Sequence, residues 1–125
     1  MNVNLKTINR DSGQFPLFLK EIQNPPKKIF VSGELPADSP EGGIKIAVVG
    51  TRKATSSGKI FAKKLAKELA ENGVIIVSGL ALGIDTAAHE GALEARGKTL
   101  VVLANGLDKI YPAQNENLAK AIVNS

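Results

Sequence analysis

Two short segments of this chain place glycines beside residues that can bind phosphate. Segment 50–53 reads Gly-Thr-Arg-Lys, and segment 78–85 reads Ser-Gly-Leu-Ala-Leu-Gly-Ile-Asp. Glycines let backbone amides come close to an anion, and an arginine can hold a phosphate through two parallel hydrogen bonds or stack on a base. These segments therefore predict phosphate or nucleic-acid binding. The candidate binding residues are Gly50, Thr51, Arg52, Lys53, Ser78, Gly79 and Gly83.

Arg52 has a second interpretation, as a surface arginine that forms an ion pair with Asp85 or Asp108. Asp85 itself suits a helix cap, where its carboxylate would accept a backbone N–H. His89 follows Asp85 by four residues, a spacing that allows an imidazole–carboxylate contact on one helix face. No serine or cysteine nucleophile is paired with His89, so a hydrogen-bonded structural histidine is favoured over a general base. We expect no catalytic residue and no enzymatic activity.

A third segment, 104–111, contains glycine, a carboxylate and an aromatic residue in close succession. Gly106 and Asp108 belong to a turn, and Tyr111 stands directly before Pro112. We expect these residues to fix the conformation of the loop rather than to act on a substrate.

The composition excludes several other kinds of site. The 125 residues include no cysteine and one histidine, which excludes a disulfide framework, a thiolate zinc site and a cysteine nucleophile. No metal site and no cofactor are predicted. No run of 18 apolar residues occurs and residues 1–6 lack a signal-type apolar stretch, so we expect a cytoplasmic protein without a membrane partner.

The positive charge is concentrated in one part of the chain. Residues 1–43 carry five charges of each sign, whereas residues 44–125 carry eleven basic and seven acidic residues, which accounts for the net charge of +4. Residues 45–67 contain seven lysines and arginines and no acid. Such a local basic field attracts phosphates and nucleic acid, although a solvated lysine-rich helix face would have the same composition.

Alternating strands and helices position the first two segments. Short apolar runs predict buried strands at 44–49, 74–77 and 99–103, and helical patterns predict helices at 57–72, 86–96 and 114–123. This order is typical of an α/β fold, an open parallel sheet with flanking helices, which binds ligands beyond the carboxyl ends of its strands. In helix 57–72, an apolar stripe is predicted on one side, with the lysines at 59, 63 and 67 on the opposite side. The stripe comprises Ile60, Phe61, Leu65, Ala66 and Leu69.

The first 43 residues form an irregular lead-in to the core at 44–125, within the same domain. A helical turn is predicted at 15–19, a strand at 28–32 that could join the main sheet, and a surface loop at 35–43. Because three or four strands make a narrow sheet, we expect an incomplete domain, a piece of a larger protein.

These segments together resemble the DNA-processing protein A family, DprA or Smf. The resemblance covers about 15–123, and its most specific part is segment 78–85 followed by Ala88-His89. Further similar stretches are 50–52, 91–93 and 106–112, with Phe15-Pro16 and Pro25-Pro26 in the lead-in. It implies a Rossmann-like domain whose Gly-Ser-Arg loop holds single-stranded DNA through Arg52, with Thr51 in place of the usual serine. Ser78, Gly79 and Gly83 would then line the same anion-binding rim.

The resemblance also implies roles in DNA processing, natural transformation and RecA loading, with RecA as a partner and a homodimeric assembly. Family members carry a second half of the Rossmann-like domain that these 125 residues lack. The sequence therefore leaves two other interpretations open. One is a nucleotide- or phosphosugar-binding module similar to the lysine-decarboxylase-like superfamily, although the Pro-Gly-Gly-x-Gly-Thr motif of those enzymes does not occur. The other is an inactive remnant.

Overall fold

The computed structural model describes residues 5–38 and 42–125 and shows a parallel sheet with helices beside it. The core strands are β3 (Lys45–Ala47), β4 (Ile75–Ser78) and β5 (Thr99–Val101). They lie in the order β3-β4-β5, with all pairings parallel. The core helices are α2 (Ser56–Glu71), α3 (Ile84–Glu94) and α4 (Glu116–Val123). The predicted fold class, an open α/β parallel sheet, is confirmed.

Helices α2 and α3 pack against each other over the sheet. Both crossovers step in the same direction across the sheet, and right-handed crossovers then place both helices on one face. The shared core is built from small side chains on the helices around Ile76 of β4, which is fully buried. Its other fully or almost fully buried members are Ala66, Ala70, Ala88 and Ala92.

The predicted apolar stripe of α2 is largely wrong. Ile60 and Phe61 are 68% and 67% exposed, and the buried face of the helix is Ala62, Ala66 and Ala70. The reason is the short distance between the helices, because a Cβ atom at Gly91 of α3 would overlap a backbone carbonyl of α2. Small side chains are favoured at such an interface, and Ile60 and Phe61 lie outside it. Leu69 of the predicted stripe packs, partly buried, against the core.

The lead-in forms a second sheet that the sequence analysis missed. Strand β1 (Leu5–Asn9) pairs antiparallel with β2 (Lys28–Ser32) and not with the parallel sheet. The strand predicted at 28–32 is therefore present, but its suggested place in the main sheet is wrong. Strand β1 gives a weak signal because only Ile8 of its residues is buried.

A short helix, α1 (Leu17–Lys20), follows Pro16 close to the predicted turn. Residues 1–4 and 39–41, including part of the predicted 35–43 loop, lie outside the described residues. The division of the chain at residue 43 stays a prediction. In the part of the chain that the structure describes, no helix has the length and apolar character needed to cross a membrane.

Candidate nucleic-acid interface

The first two glycine segments, called here the first loop (50–55) and the second loop (79–83), contact each other. The N–H of Ile84 donates a hydrogen bond of 3.2 Å to the Thr51 carbonyl. Gly83 has a φ of +83°, and a Cβ atom there would overlap the backbone of Thr51 and Arg52. A Cβ atom at Gly50 would lie 2.8 Å from the Ile84 side chain. The glycines therefore allow the two loops to meet at the carboxyl ends of β3 and β4.

The first loop presents its charged side chains to solvent. The Lys53 N–H donates to the Thr51 hydroxyl over 3.1 Å, and Thr55 caps α2 by accepting from the Gly58 N–H over 3.1 Å. Arg52 and Lys53 are exposed. Among residues 5–38 and 42–125, no carboxylate lies within 4.0 Å of the Arg52 guanidinium, so neither suggested ion pair with an aspartate forms.

The polar groups of Ser78 and Gly79 are used inside the protein. The Ser78 hydroxyl is buried and donates to the Val48 carbonyl over 2.6 Å. The Gly79 N–H donates to a carboxylate oxygen of Asp85 over 3.0 Å. Asp85 does accept a backbone N–H, but the expected helix cap is wrong, because the capping residue of α3 is Gly83. The Asp85 carboxylate instead binds the backbone of the second loop at Gly79.

Two residues that the sequence analysis missed also shape the second loop. Leu80 is fully buried with a φ of +65°, an unusual conformation for a residue with a side chain. The Asn115 amide donates to the Leu80 carbonyl over 2.8 Å and to the Thr86 hydroxyl over 2.9 Å. Thr86 in turn donates to the Ala81 carbonyl over 2.6 Å. No local sequence pattern predicts these hydrogen bonds, because Asn115 lies 35 residues from Leu80 and resembles an ordinary helix cap.

His89 is fully buried, and its described hydrogen bond is to Thr99 of β5 and not to Asp85. Its Nδ1 lies 2.7 Å from the Thr99 hydroxyl, which itself donates to the Ile76 carbonyl over 2.9 Å. Nδ1 is therefore the protonated ring nitrogen and the donor. Its Nε2 has no hydrogen-bond partner among the described residues. Burial lowers the pKa of His89 to about 4, while the Asp85 charge acts in the opposite direction.

The third loop is held by its own hydrogen bonds. The Asn105 amide donates to the Lys109 carbonyl over 2.7 Å and to the Gly106 carbonyl over 3.0 Å. Asp108 and Tyr111 are exposed, and the Tyr111–Pro112 peptide bond is cis. No described hydrogen bond or ion pair connects Asp108 or Tyr111 to the first loop. Ile110 of the third loop is buried in the same apolar cluster as Leu80 of the second loop.

A groove of about 530 Å³ runs from the first loop along the space between α2 and α3. Its lining includes positive, apolar and acidic side chains, among them Arg52, Lys59, Ile60, Lys63, Leu82 and Glu90. Lys63 is neutralised, since its ammonium lies 3.2 Å from Glu94 and 3.9 Å from Glu90. Within the described ranges, no group of three histidine, cysteine or acidic residues could hold a metal ion.

Comparison with known proteins identifies the family. The model of the DNA recombination-mediator protein A family matches residues 6–125. The chain belongs to this family. It is 43% identical over 115 residues to the DNA processing protein DprA of Bacillus subtilis, covering 92% of this chain and 38% of the relative. It is 39% identical to the protein Smf of Synechocystis, covering 95% of this chain and 30% of the relative.

Solved structures of family members have the same fold. DprA from Streptococcus pneumoniae superposes with a TM-score of 0.83 at 38% identity, covering 95% of this chain and 41% of that one. DprA from Helicobacter pylori, whose single-stranded DNA binding mode has been described structurally, gives 0.82 at 35% identity. That match covers 98% of this chain and 53% of the H. pylori chain. These findings confirm the predicted family and the Rossmann-like fold, and they show that this chain spans less than half of the curated relatives.

Proposed function

We propose that this chain binds single-stranded DNA without catalysis, through the edge formed by the first and second loops. The observation that carries the proposal is the environment of Arg52. Its guanidinium is exposed, and no carboxylate of the described residues lies within 4.0 Å of it. Gly83 allows the loop that carries Arg52 to lie against the start of α3. A guanidinium without an internal partner is available to a phosphate, which it can hold through paired charge-assisted hydrogen bonds. The family relative from H. pylori binds single-stranded DNA, which supports the same ligand here.

The residues of the two loops take different parts in this proposal. Arg52 and Lys53 supply charge, and the Thr51 hydroxyl orders the loop through its bond to the Lys53 amide. In the second loop, the backbone around Gly83 faces the groove and contributes to the anion-binding edge. Ser78 and Gly79 act indirectly, because their donors are engaged with Val48 and Asp85.

For the whole protein, the proposal also includes processing of DNA during natural transformation, loading of RecA and formation of a homodimer. This chain covers 38% of the Bacillus subtilis relative and 30% of the Synechocystis relative, so both are more than two and a half times as long as the part that it matches. None of the described residues is assigned to RecA or to a dimer interface. The cytoplasmic location is proposed on the same basis.

Binding of a fluorescently labelled single-stranded oligonucleotide, followed by anisotropy at two salt concentrations, tests the DNA contact. We expect Arg52→Ala to lower the affinity about tenfold or more, since hydrogen bonds to charged groups contribute about 1.5–3 kcal/mol. The slope of log affinity against log salt should decrease by about 0.7 for one lost phosphate contact. The matched control is Lys98→Ala, which removes one exposed charge at the opposite edge of the sheet and should have little effect.

Circular dichroism of each variant establishes that it is folded. A folded wild type that binds no oligonucleotide would contradict the proposal, as would equal losses for Arg52→Ala and Lys98→Ala. Tight binding of ATP or ADP-ribose by a chain without DNA affinity would instead support the nucleotide- or phosphosugar-binding alternative.

A further inference from the structure

The groove between α2 and α3 combines a cationic surface, which can bind a phosphate, with an apolar surface, which can contact a base. At its first-loop end it is lined by Arg52 and Lys59, and beside these cations lie the apolar side chains of Ile60 and Leu82. Its volume of about 530 Å³ lies within the range of roughly 300–1,000 Å³ that is typical of small-ligand sites. The groove is therefore large enough to receive part of a bound strand.

The lysines of α2 are not equivalent in this groove. Lys59 lines the groove and has no carboxylate within 4.0 Å among the described residues. Lys63 also lines it, but Glu90 and Glu94 neutralise its charge. Lys64 is exposed elsewhere on the helix. The unpaired positive charge that the groove offers to a phosphate thus comes from Arg52 and Lys59, whereas Lys64 and Lys67 do not line the groove.

Two large apolar side chains of the groove are exposed to solvent. Ile60 is 68% exposed and Leu82 is 40% exposed, although both are large and apolar. None of the described aromatic side chains lines the groove. An unpaired, unstacked base has an apolar face that could cover these side chains, whereas the bases of a duplex are covered by their neighbours. The contact would therefore discriminate single strands from duplexes.

We propose that this groove is a nucleotide subsite for single-stranded DNA, in which Lys59 binds a phosphate and Ile60 with Leu82 contacts the face of a base. The inference rests on the proposed function and adds to it the path of the strand. Glu90 lies at the other part of the lining, where Lys63, Glu90 and Glu94 together carry a net charge of −1 that repels phosphate. The DNA strand consequently follows the groove from Arg52 past Lys59 and leaves it before Glu90.

Two pairs of substitutions on α2 test the subsite with matched controls. Lys59→Ala is compared with Lys64→Ala, which removes the same charge outside the groove. Ile60→Ser is compared with Phe61→Ser, since Phe61 is 67% exposed but does not line the groove. Each variant is titrated with a labelled oligothymidylate and with a labelled duplex, over a range of salt concentrations.

We expect Lys59→Ala to lower single-strand affinity about three- to tenfold and to reduce the salt slope by about 0.7, as one lost phosphate contact requires. Ile60→Ser should lower single-strand affinity about threefold or more without changing the salt slope or the duplex affinity. The two controls should stay within about twofold of the wild type.

Equal effects within each pair, with Arg52→Ala still defective, would overturn the subsite and leave the proposed function intact. An Ile60→Ser variant that loses duplex and single-strand affinity equally would also overturn the base contact. A folded wild type that binds neither oligonucleotide would overturn both the subsite and the proposed function.

Discussion

Individual polar residues near the site divide into those that shape the loops from inside and those that face solvent. Ser78 and Asp85 are buried and bonded to backbone groups, whereas Arg52 is exposed. The sequence predicted which residues gather at this edge, because glycines and charges directly follow apolar strand runs. It could not predict which donors are already used, since the Ser78 acceptor is 30 residues away and the bonds of Asn115 span up to 35 residues.

His89 gives a prediction at the same scale, because its burial disfavours the charged imidazole in the native state. Its pKa is lowered by burial from 6.5 to about 4, so between these values the unfolded chain binds a proton that the native chain does not. The contribution of His89 to stability is therefore fully present above pH 6.5 and is lost as the pH falls towards 4. The loss should reach about 3 kcal/mol, measured by urea unfolding at a series of pH values.

A titration of the histidine itself provides the control. The chain has one histidine, so a single set of imidazole NMR resonances reports its protonation. A midpoint near the ordinary value of 6.5 in the folded protein would contradict the assignment, as would a His89→Gln variant that keeps the full pH dependence of stability.

At the level of elements, the order of strands and helices followed from sequence pattern, but the packing faces did not. Apolar runs located β3, β4 and β5 because buried parallel strands are apolar on both faces. The stripe on α2 was assigned wrongly because a hydrophobicity pattern ranks Phe61 above Ala62, whereas the close approach of α3 selects the smaller side chain. Strand β1 was missed because its single buried residue produces no alternating pattern of apolar and polar residues.

Gly91→Ala tests the close packing of α2 and α3. In an open helix this substitution stabilises by up to about 1 kcal/mol, because alanine is the better helix former. Here the added methyl group overlaps the Lys63 carbonyl, so we expect a loss of about 1–3 kcal/mol in the free energy of unfolding. Urea unfolding followed by circular dichroism measures the change.

The matched variant is Gly13→Ala, where an added Cβ meets no atom within 4 Å. It should change the unfolding free energy by less than about 0.5 kcal/mol. A Gly91→Ala protein that is more stable than the wild type would show that the two helices are further apart than described.

At the scale of the whole molecule, charge and topology point to the same edge. The net charge of +4 arises entirely in residues 44–125, and the parallel strands β3 and β4 end at the first and second loops. Ligands of open α/β sheets bind at this edge. The opposite edge has a smaller cavity of about 300 Å³, with Arg96 and Lys98 in its lining, and therefore offers a competing cationic surface.

The measurement that tests the central claim most directly is a DNA titration of the ¹⁵N-labelled chain, followed by amide chemical shifts. We predict that single-stranded oligothymidylate first shifts the amides of Thr51, Arg52, Lys53 and Gly83, with further shifts at Lys59. These positions are on the two loops and the groove that adjoins them. Shifts confined to Arg96, Lys98 and their neighbours would instead place the DNA at the opposite edge and contradict the account, as would a folded chain whose spectrum does not change.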